Sequence, residues 1–216
     1  MIEIGKNNNL KVIRKTNLGY MLSDGKSEIL MHYKQSSKEL EVNEEVSVYV
    51  YTDKENRPTG TMQEAALKMG KPGFVKVVQI IPTIGVFVSN NTPKDILISK
   101  DYLPFDERLW PQVGDVIFAE LKLKRDVLMA KPVNRYDVVA LKNKVRYQEQ
   151  ENKTAYVLRL NEKGIGLVTI DQVYVFVPKH QCRGEYRLGQ EVNVVAPDHS
   201  NANAFMAFLN KYNSGE

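Results

Sequence analysis

Few residues of this chain have the types and spacing that catalysis or metal binding needs. The three histidines, His32, His180 and His199, are scattered, and no pair has the spacing of a metal-ligand set. The single cysteine, Cys182, has His180 two residues away, but nothing sets that imidazole against the sulfur as an activated thiolate requires. Carboxylate pairs such as Glu44-Glu45 and Asp106-Glu107 fall in turn-like stretches, where charge is ordinarily solvated. Gly164-Ile165-Gly166 is too short to cradle a phosphate and lacks the third glycine of such loops. The expectation is a chain with no catalytic residues, no metal and no cofactor, and therefore not an enzyme.

Basic side chains interleaved with aromatic ones are a different matter. A single strand of nucleic acid is held by an electropositive groove with ring faces on which bases stack, each worth about 1–3 kcal/mol. Residues that could supply this chemistry include Lys76, Phe87, Lys100, Lys122 and Lys124 in the middle of the chain, Tyr20 and His32 in the first third, and Arg159 in the last. Tyr156 and Phe176 lie within apolar runs and are read as core; Trp110, before a proline, is read as a packing residue. A net charge of +4 and a pI near 8.9 lean mildly towards polyanionic partners without deciding the matter.

The elements that must position these residues are written in the chain three times. Asn17-Leu18-Gly19-Tyr20-Met21-Leu22, Thr83-Ile84-Gly85-Val86-Phe87-Val88 and Gly164-Ile165-Gly166-Leu167-Val168-Thr169 are alike, which sets Gly19, Gly85 and Gly166 in register. A polar turn and a short apolar run follow each: Ile29-Leu30-Met31, Ile96-Leu97-Ile98 and Val173-Tyr174-Val175-Phe176-Val177. Then comes a turn and a further strand-like stretch, Val42–Val48, Val113–Phe118 and Leu188–Val194. The glycines are 66 and then 81 residues apart, so each copy is a small domain rather than a solenoid repeat. Short strands at regular spacing with Asn, Asp, Gly and Pro between them predict small antiparallel barrels. Boundaries fall at 1–68, 69–138 and 139–216.

Two stretches break the strand pattern. Thr61–Gly70 is rich in helix formers and has Gly70 and Pro72 as stops, so it predicts a helical linker. Asn134–Lys153 is polar, and its Arg135–Lys142 start predicts a short helix. Ala202–Leu209 predicts the last strand of the third unit. No apolar stretch approaches the ~20 residues that span a bilayer, the N-terminus has no signal core, and one cysteine makes no internal disulfide. A cytoplasmic protein that does not enter membranes is expected.

Gly73-Phe74-Val75-Lys76-Val77-Val78, Ile84-Gly85-Val86-Phe87-Val88, Ile96-Leu97-Ile98 and Trp110-Pro111-Gln112-Val113-Gly114-Asp115-Val116 together resemble an S1-like RNA-binding domain. That resemblance implies an all-β fold of five-stranded barrels of the oligonucleotide-binding type. Ile96–Pro104 followed by Leu109–Asp115, with Tyr186-Arg187-Leu188-Gly189-Gln190 further on, is similar to the conserved virulence factor B family of bacteria, which carries three tandem S1-like domains. The family implies RNA binding and post-transcriptional regulation, virulence genes included, and its longer members have a C-terminal winged-helix domain that this sequence is expected to lack. The S1 pattern places an aromatic residue two positions after the anchor glycine and a histidine after the third-strand run. Phe87 and His32 match it, whereas Met21, Val168, Ser99 and Pro178 depart from it, so the resemblance implies Phe87 with Lys76, Lys122 and Lys124 as the main surface and Tyr20 with His32 as a weaker patch.

The leading expectation is a monomeric, non-enzymatic binder of single-stranded RNA with the central barrel as its main surface. A protein-interaction scaffold, or an accessory subunit built from the same barrels and binding protein partners, is the alternative.

Overall fold

A computed structural model describes residues 1–141 and 151–195, together with the backbone of 205–206 and 208–209. The chain divides into two compact units. One comprises Met1–Val75, Phe87–Ile98 and Ala119–Lys131; the other comprises Lys76–Val86, Ser99–Phe118 and Pro132–Glu216. The fold is nearly all β, as the repeated strand pattern predicts.

The first sheet is a closed five-stranded barrel. Its strands are β1 (Asn7–Lys15), β2 (Gly19–Ser23), β3 (Glu28–His32), β4 (Glu45–Thr52) and β5 (Pro58–Thr61). β1 pairs with β2 and with β4, and a bulge between Val12 and Arg14 bends it enough to serve both. β5 closes the barrel, parallel to β3 and antiparallel to β4. Alternate residues point inwards, so Leu10, Val12, Tyr20, Leu22, Met31 and Val48 form the core.

The second sheet repeats the plan with β6 (Gly73–Ile81), β7 (Gly85–Ser89), β8 (Ile96–Ser99), β9 (Val116–Lys124) and β10 (Val127–Pro132), closed in the order β10-β8-β7-β6-β9. β10 runs parallel to β8, as β5 does to β3. The third set is β11 (Asn152–Asn161), β12 (Gly164–Thr169), β13 (Tyr174–Pro178) and β14 (Glu191–Val195). Two short pieces, β15 (Phe205–Met206) and β16 (Phe208–Leu209), lie at its two edges, parallel to β13 and antiparallel to β14. That is the pairing β5 makes in the first barrel, and it agrees with the strand expected over Ala202–Leu209.

A short 3₁₀ turn follows the third strand of each copy, at Tyr33–Gln35, Lys100–Tyr102 and Lys179–Gln181. His32 and Ser99 cap the first two, each accepting a backbone N–H through its side chain, which Pro178 cannot do. The first amide of each turn donates to Leu18, Ile84 and Lys163 respectively, each the residue before a glycine. The equivalent glycines are therefore Gly19, Gly85 and Gly164. The sequence pattern had set Gly166 there; the true spacings are 66 and 79 residues.

The predicted helix over Thr61–Gly70 does not form. The segment is extended and turned, with a bridge between Lys68 and Lys71. Its helical propensity is overridden by burial: Ala65 and Leu67 both go inside, two residues apart, which a helix cannot arrange. Asn90, fully buried, holds the segment in place. Its Oδ1 accepts from the Leu67 N–H at 2.6 Å, and its Nδ2 donates to the Leu67 carbonyl and to the Tyr49 hydroxyl. Burial pushes the Tyr49 phenol up to about 12. Asn90→Ala would strand a buried amide and a buried phenol, so a loss of about 3 kcal/mol is expected in a denaturant titration. A change below ~1 kcal/mol would mean that water replaces the amide side chain. By contrast, the short helix expected after Asn134 is present as α1 (Arg135–Ala140), capped by the Asn134 side chain on the amides of Tyr136 and Asp137.

Candidate nucleic-acid interface

β2 and β7 have the same burial pattern, with the residue two after the glycine half-exposed on the outer face. In the central barrel that residue is Phe87, between the fully buried Val86 and Val88. Its ring faces outwards by the same alternation that drives its neighbours in. Next to β7 in the sheet, β8 turns Leu97 outwards between Ile96 and Ile98, and Leu97 is in register with Met129 on β10. Phe87, Leu97 and Met129 thus share an apolar outer face.

The hairpin that joins β9 to β10 lies at the start of β10. Its two loop residues, Arg125 and Asp126, have φ of 50° and 63°, the signature of a tight two-residue hairpin turn. Lys122, Lys124 and Arg125 are exposed on it, while Leu121 is buried. Among the described residues none of the three forms an ion pair, unlike Lys131, which meets Glu120 at 2.6 Å. Lys76 and Lys100 are likewise exposed and unpaired among the described residues, but they belong to the other compact unit.

The first barrel lacks this combination. Met21 stands where Phe87 stands, and Arg14, Lys15 and Lys38 are paired with Glu28, Glu41 and Glu44. Residues 1–68 carry ten basic and ten acidic side chains, whereas 69–138 and 139–216 each carry ten and eight. The whole surplus of +4 therefore lies outside the first barrel. His32 is exposed and tied to its capping role through Nδ1. Tyr20, expected in a surface patch, is instead a core residue, 4 % exposed, whose hydroxyl accepts from the buried Leu40 N–H. It offers no face to a base, and its edge packs against Tyr33 with centroids 4.9 Å apart.

In the third sheet the expected core aromatics Tyr156 and Phe176 are instead half-exposed on the outer face, alternating with buried residues. The position matching Phe87 is Gly166, not Val168. Arg159 is half-buried, and a Cβ at Gly166 would lie 2.7 Å from its Cγ and 2.6 Å from the Tyr174 hydroxyl. Trp110 packs as predicted, 7 % exposed, with its indole N–H donating to the Pro104 carbonyl at 2.7 Å.

A cleft of about 630 Å³ is also present in the second unit, where the segment around Arg108 faces the start of β12 and the turn after β13. Its lining includes the apolar side chains Leu160 and Ile165 and the ring of Tyr186. Arg108, Lys179 and Arg187 line it together with Asp106, Glu162 and Glu185, so the charges cancel. Arg187 is already held by Asp115 at 2.7 and 2.9 Å. Cys182 lines the cleft, and burial pushes its thiol up, the wrong direction for a nucleophile. Among the described residues no group of three or more His, Cys, Asp or Glu could hold a metal, and no helix is long and apolar enough to cross a membrane.

The comparisons with known proteins agree with this geometry. Residues 4–63 match the S1 domain family, and 73–130 match the first S1-like domain of conserved virulence factor B. The Bacillus subtilis protein YitL is 32% identical over 87% of this chain and 64% of its own length. Conserved virulence factor B of Staphylococcus haemolyticus is 30% identical, and that of Staphylococcus aureus (strain USA300) 29%, each over 72% of this chain. The chain spans 53% of the length of both staphylococcal relatives. A crystal structure from Streptococcus pneumoniae, described as a multidomain protein with nucleic acid binding domains, shares the fold with a TM-score of 0.81 at 21% identity, covering 99% of this chain and 75% of that one. Barrel order, glycine register and sequence likeness converge: the chain belongs to the conserved virulence factor B family of proteins built from tandem S1-like domains.

Proposed function

We propose that this chain is a non-enzymatic, cytoplasmic RNA-binding protein that takes a single strand across the outer face of the central barrel. The observation that carries the reading is the outward Phe87 ring, on a face shared with Leu97 and Met129 and in the same unit as Lys122, Lys124 and Arg125, which form no ion pair among the described residues. Ring faces take bases without regard to sequence, and unpaired cations take the backbone, so sequence preference should be weak. Lys76 and Lys100, which belong to the other compact unit, are not needed for this reading. A regulatory role in bacterial gene expression, virulence factors included, is part of the proposal, and the name of the staphylococcal relatives, conserved virulence factor B, supports the link to virulence. A lone cysteine without a disulfide supports a reducing compartment.

Binding of labelled polypyrimidine RNA tests the reading. Affinity should fall steeply between 50 and 200 mM salt. Phe87→Ala should weaken binding by about tenfold or more at any salt, because it removes one stacked base. Since Phe87 is only half-buried, its melting temperature should stay close to that of the parent. An affinity indifferent to both salt and the ring would remove the central barrel as the RNA surface.

A further inference from the structure

The third sheet treats its outer face differently from the two closed barrels. All six residues of β12 are buried, including Gly166 and Val168, which alternation should leave on the outside. Tyr174 and Arg159 lie directly over Gly166, where a Cβ would touch both. α1 packs against β13 and buries Val138. The strand face on which the central barrel presents Phe87 is therefore covered in the third.

What covers it is itself suited to a nucleic acid. Tyr136, on α1, is 69 % exposed. The Arg135 guanidinium lies 4.5 Å from its ring centroid and donates to its hydroxyl at 2.6 Å. Arg159 adds a second positive charge close to both Tyr136 and Tyr174. Arg14, Arg57, Arg108 and Arg187 are each paired with a carboxylate. Arg135 and Arg159 form no ion pair among the described residues, and the groups set against them are tyrosine hydroxyls. Two guanidinium groups without carboxylates, around an exposed ring, retain their capacity for phosphate.

We propose that Arg135, Tyr136 and Arg159 form a second site for single-stranded RNA, in which α1 replaces the covered strand face of the third sheet. A base stacks on the open side of the Tyr136 ring, and the flanking phosphates are taken by Arg135 and Arg159. The proposal rests on the RNA-binding reading above but uses none of the residues of the central face.

The test is photocrosslinking of 4-thiouridine-containing, unstructured RNA to the full chain, with peptide mapping, alongside equilibrium binding by three variants. Crosslinks are expected at two places, around Phe87 and around Tyr136. Tyr136→Ala should abolish the second set, leave the first, and weaken binding about tenfold. Arg135→Gln with Arg159→Gln should flatten the log–log salt slope by about 1.4, two phosphate contacts at ~0.7 each. A merely structural role would lower the melting temperature without touching that slope. Phe87→Ala should remove the first set and spare the second. If Phe87→Ala weakens binding while the α1 variants change neither affinity, slope nor crosslinks, the second site is wrong and the central face stands. If RNA does not bind at all, both readings fall together.

Discussion

Replacing Lys122 and Lys124 by glutamine and Arg125 by asparagine is expected to lower affinity for single-stranded RNA about a hundredfold at 0.1 M salt and to flatten the log–log salt slope by about 2. The arithmetic follows from counterion release: each phosphate neutralised on a single strand contributes a slope of ~0.7, so three lost contacts are worth about two decades at 0.1 M. The three residues can be removed without harm to the fold because they are exposed, and among the described residues they form no ion pair. Asparagine rather than glutamine is the choice at position 125, where φ is 50° and asparagine tolerates the left-handed region best after glycine. Salt titrations of parent and triple variant, with melting curves to confirm folding, decide the outcome. Parallel salt lines would show that the hairpin lies off the RNA path. The same substitution in the first barrel, at Arg14 and Lys15, should do far less, because Glu28 and Glu41 already occupy those cations.

Why the hairpin was legible in the sequence, while other parts of the proposed interface were not, comes down to how far each feature depends on distant residues. Lys122-Leu123-Lys124 alternates in a strand that ends in a turn, so its outward lysines follow from local pattern alone. Phe87 follows in the same way from Gly85-Val86-Phe87-Val88, one glycine and one alternation. Tyr20 carried the opposite signal, since it is in phase with the buried Leu22, and period-two reading places it inside. Arg159 was less readable because a bulge between Val157 and Arg159 shifts the phase of β11, leaving both Val157 and Leu158 buried. Leu97 hides in an unbroken apolar run, Ile96-Leu97-Ile98, in which only the barrel pairing reveals which residue points out. The failed helix over Thr61–Gly70 depends on Asn90, more than twenty residues on, and no local propensity reports such a contact. Tyr136 and Arg135 were readable as helix but not as interface, since their meaning comes from Gly166 and Tyr174 beneath them.

The pair Gly164 and Gly166 shows the same limit in its sharpest form and yields a decisive stability experiment. The two glycines stand two residues apart, so they share one side of β12, and local sequence cannot tell which anchors the repeat. The structure tells them apart by what a side chain would meet. At Gly164 a Cβ would lie 2.1 Å from the Val177 carbonyl oxygen, which belongs to the strand paired with it, and φ is 152°. At Gly19 the distance to the Met31 carbonyl oxygen is the same 2.1 Å. At Gly166 the nearest atoms are side-chain atoms of Tyr174 and Arg159, which can swing away. Gly164→Ala must push β13 off β12 or break its first pairing, and a loss of about 3 kcal/mol is expected from overpacking and backbone strain together. In a chain of this size that lowers the melting midpoint by roughly 6–12 °C. Gly166→Ala should cost about 1 kcal/mol, the displacement of two side chains, and should loosen Arg159 from Tyr174 rather than open the sheet. Amide hydrogen exchange would localise the difference: protection of β12 and β13 should collapse in the first variant and survive in the second. The reverse order would return the anchor to Gly166, and with it the aromatic position of the third sheet to Val168, which would leave α1 covering an ordinary strand face rather than standing in for the proposed binding face.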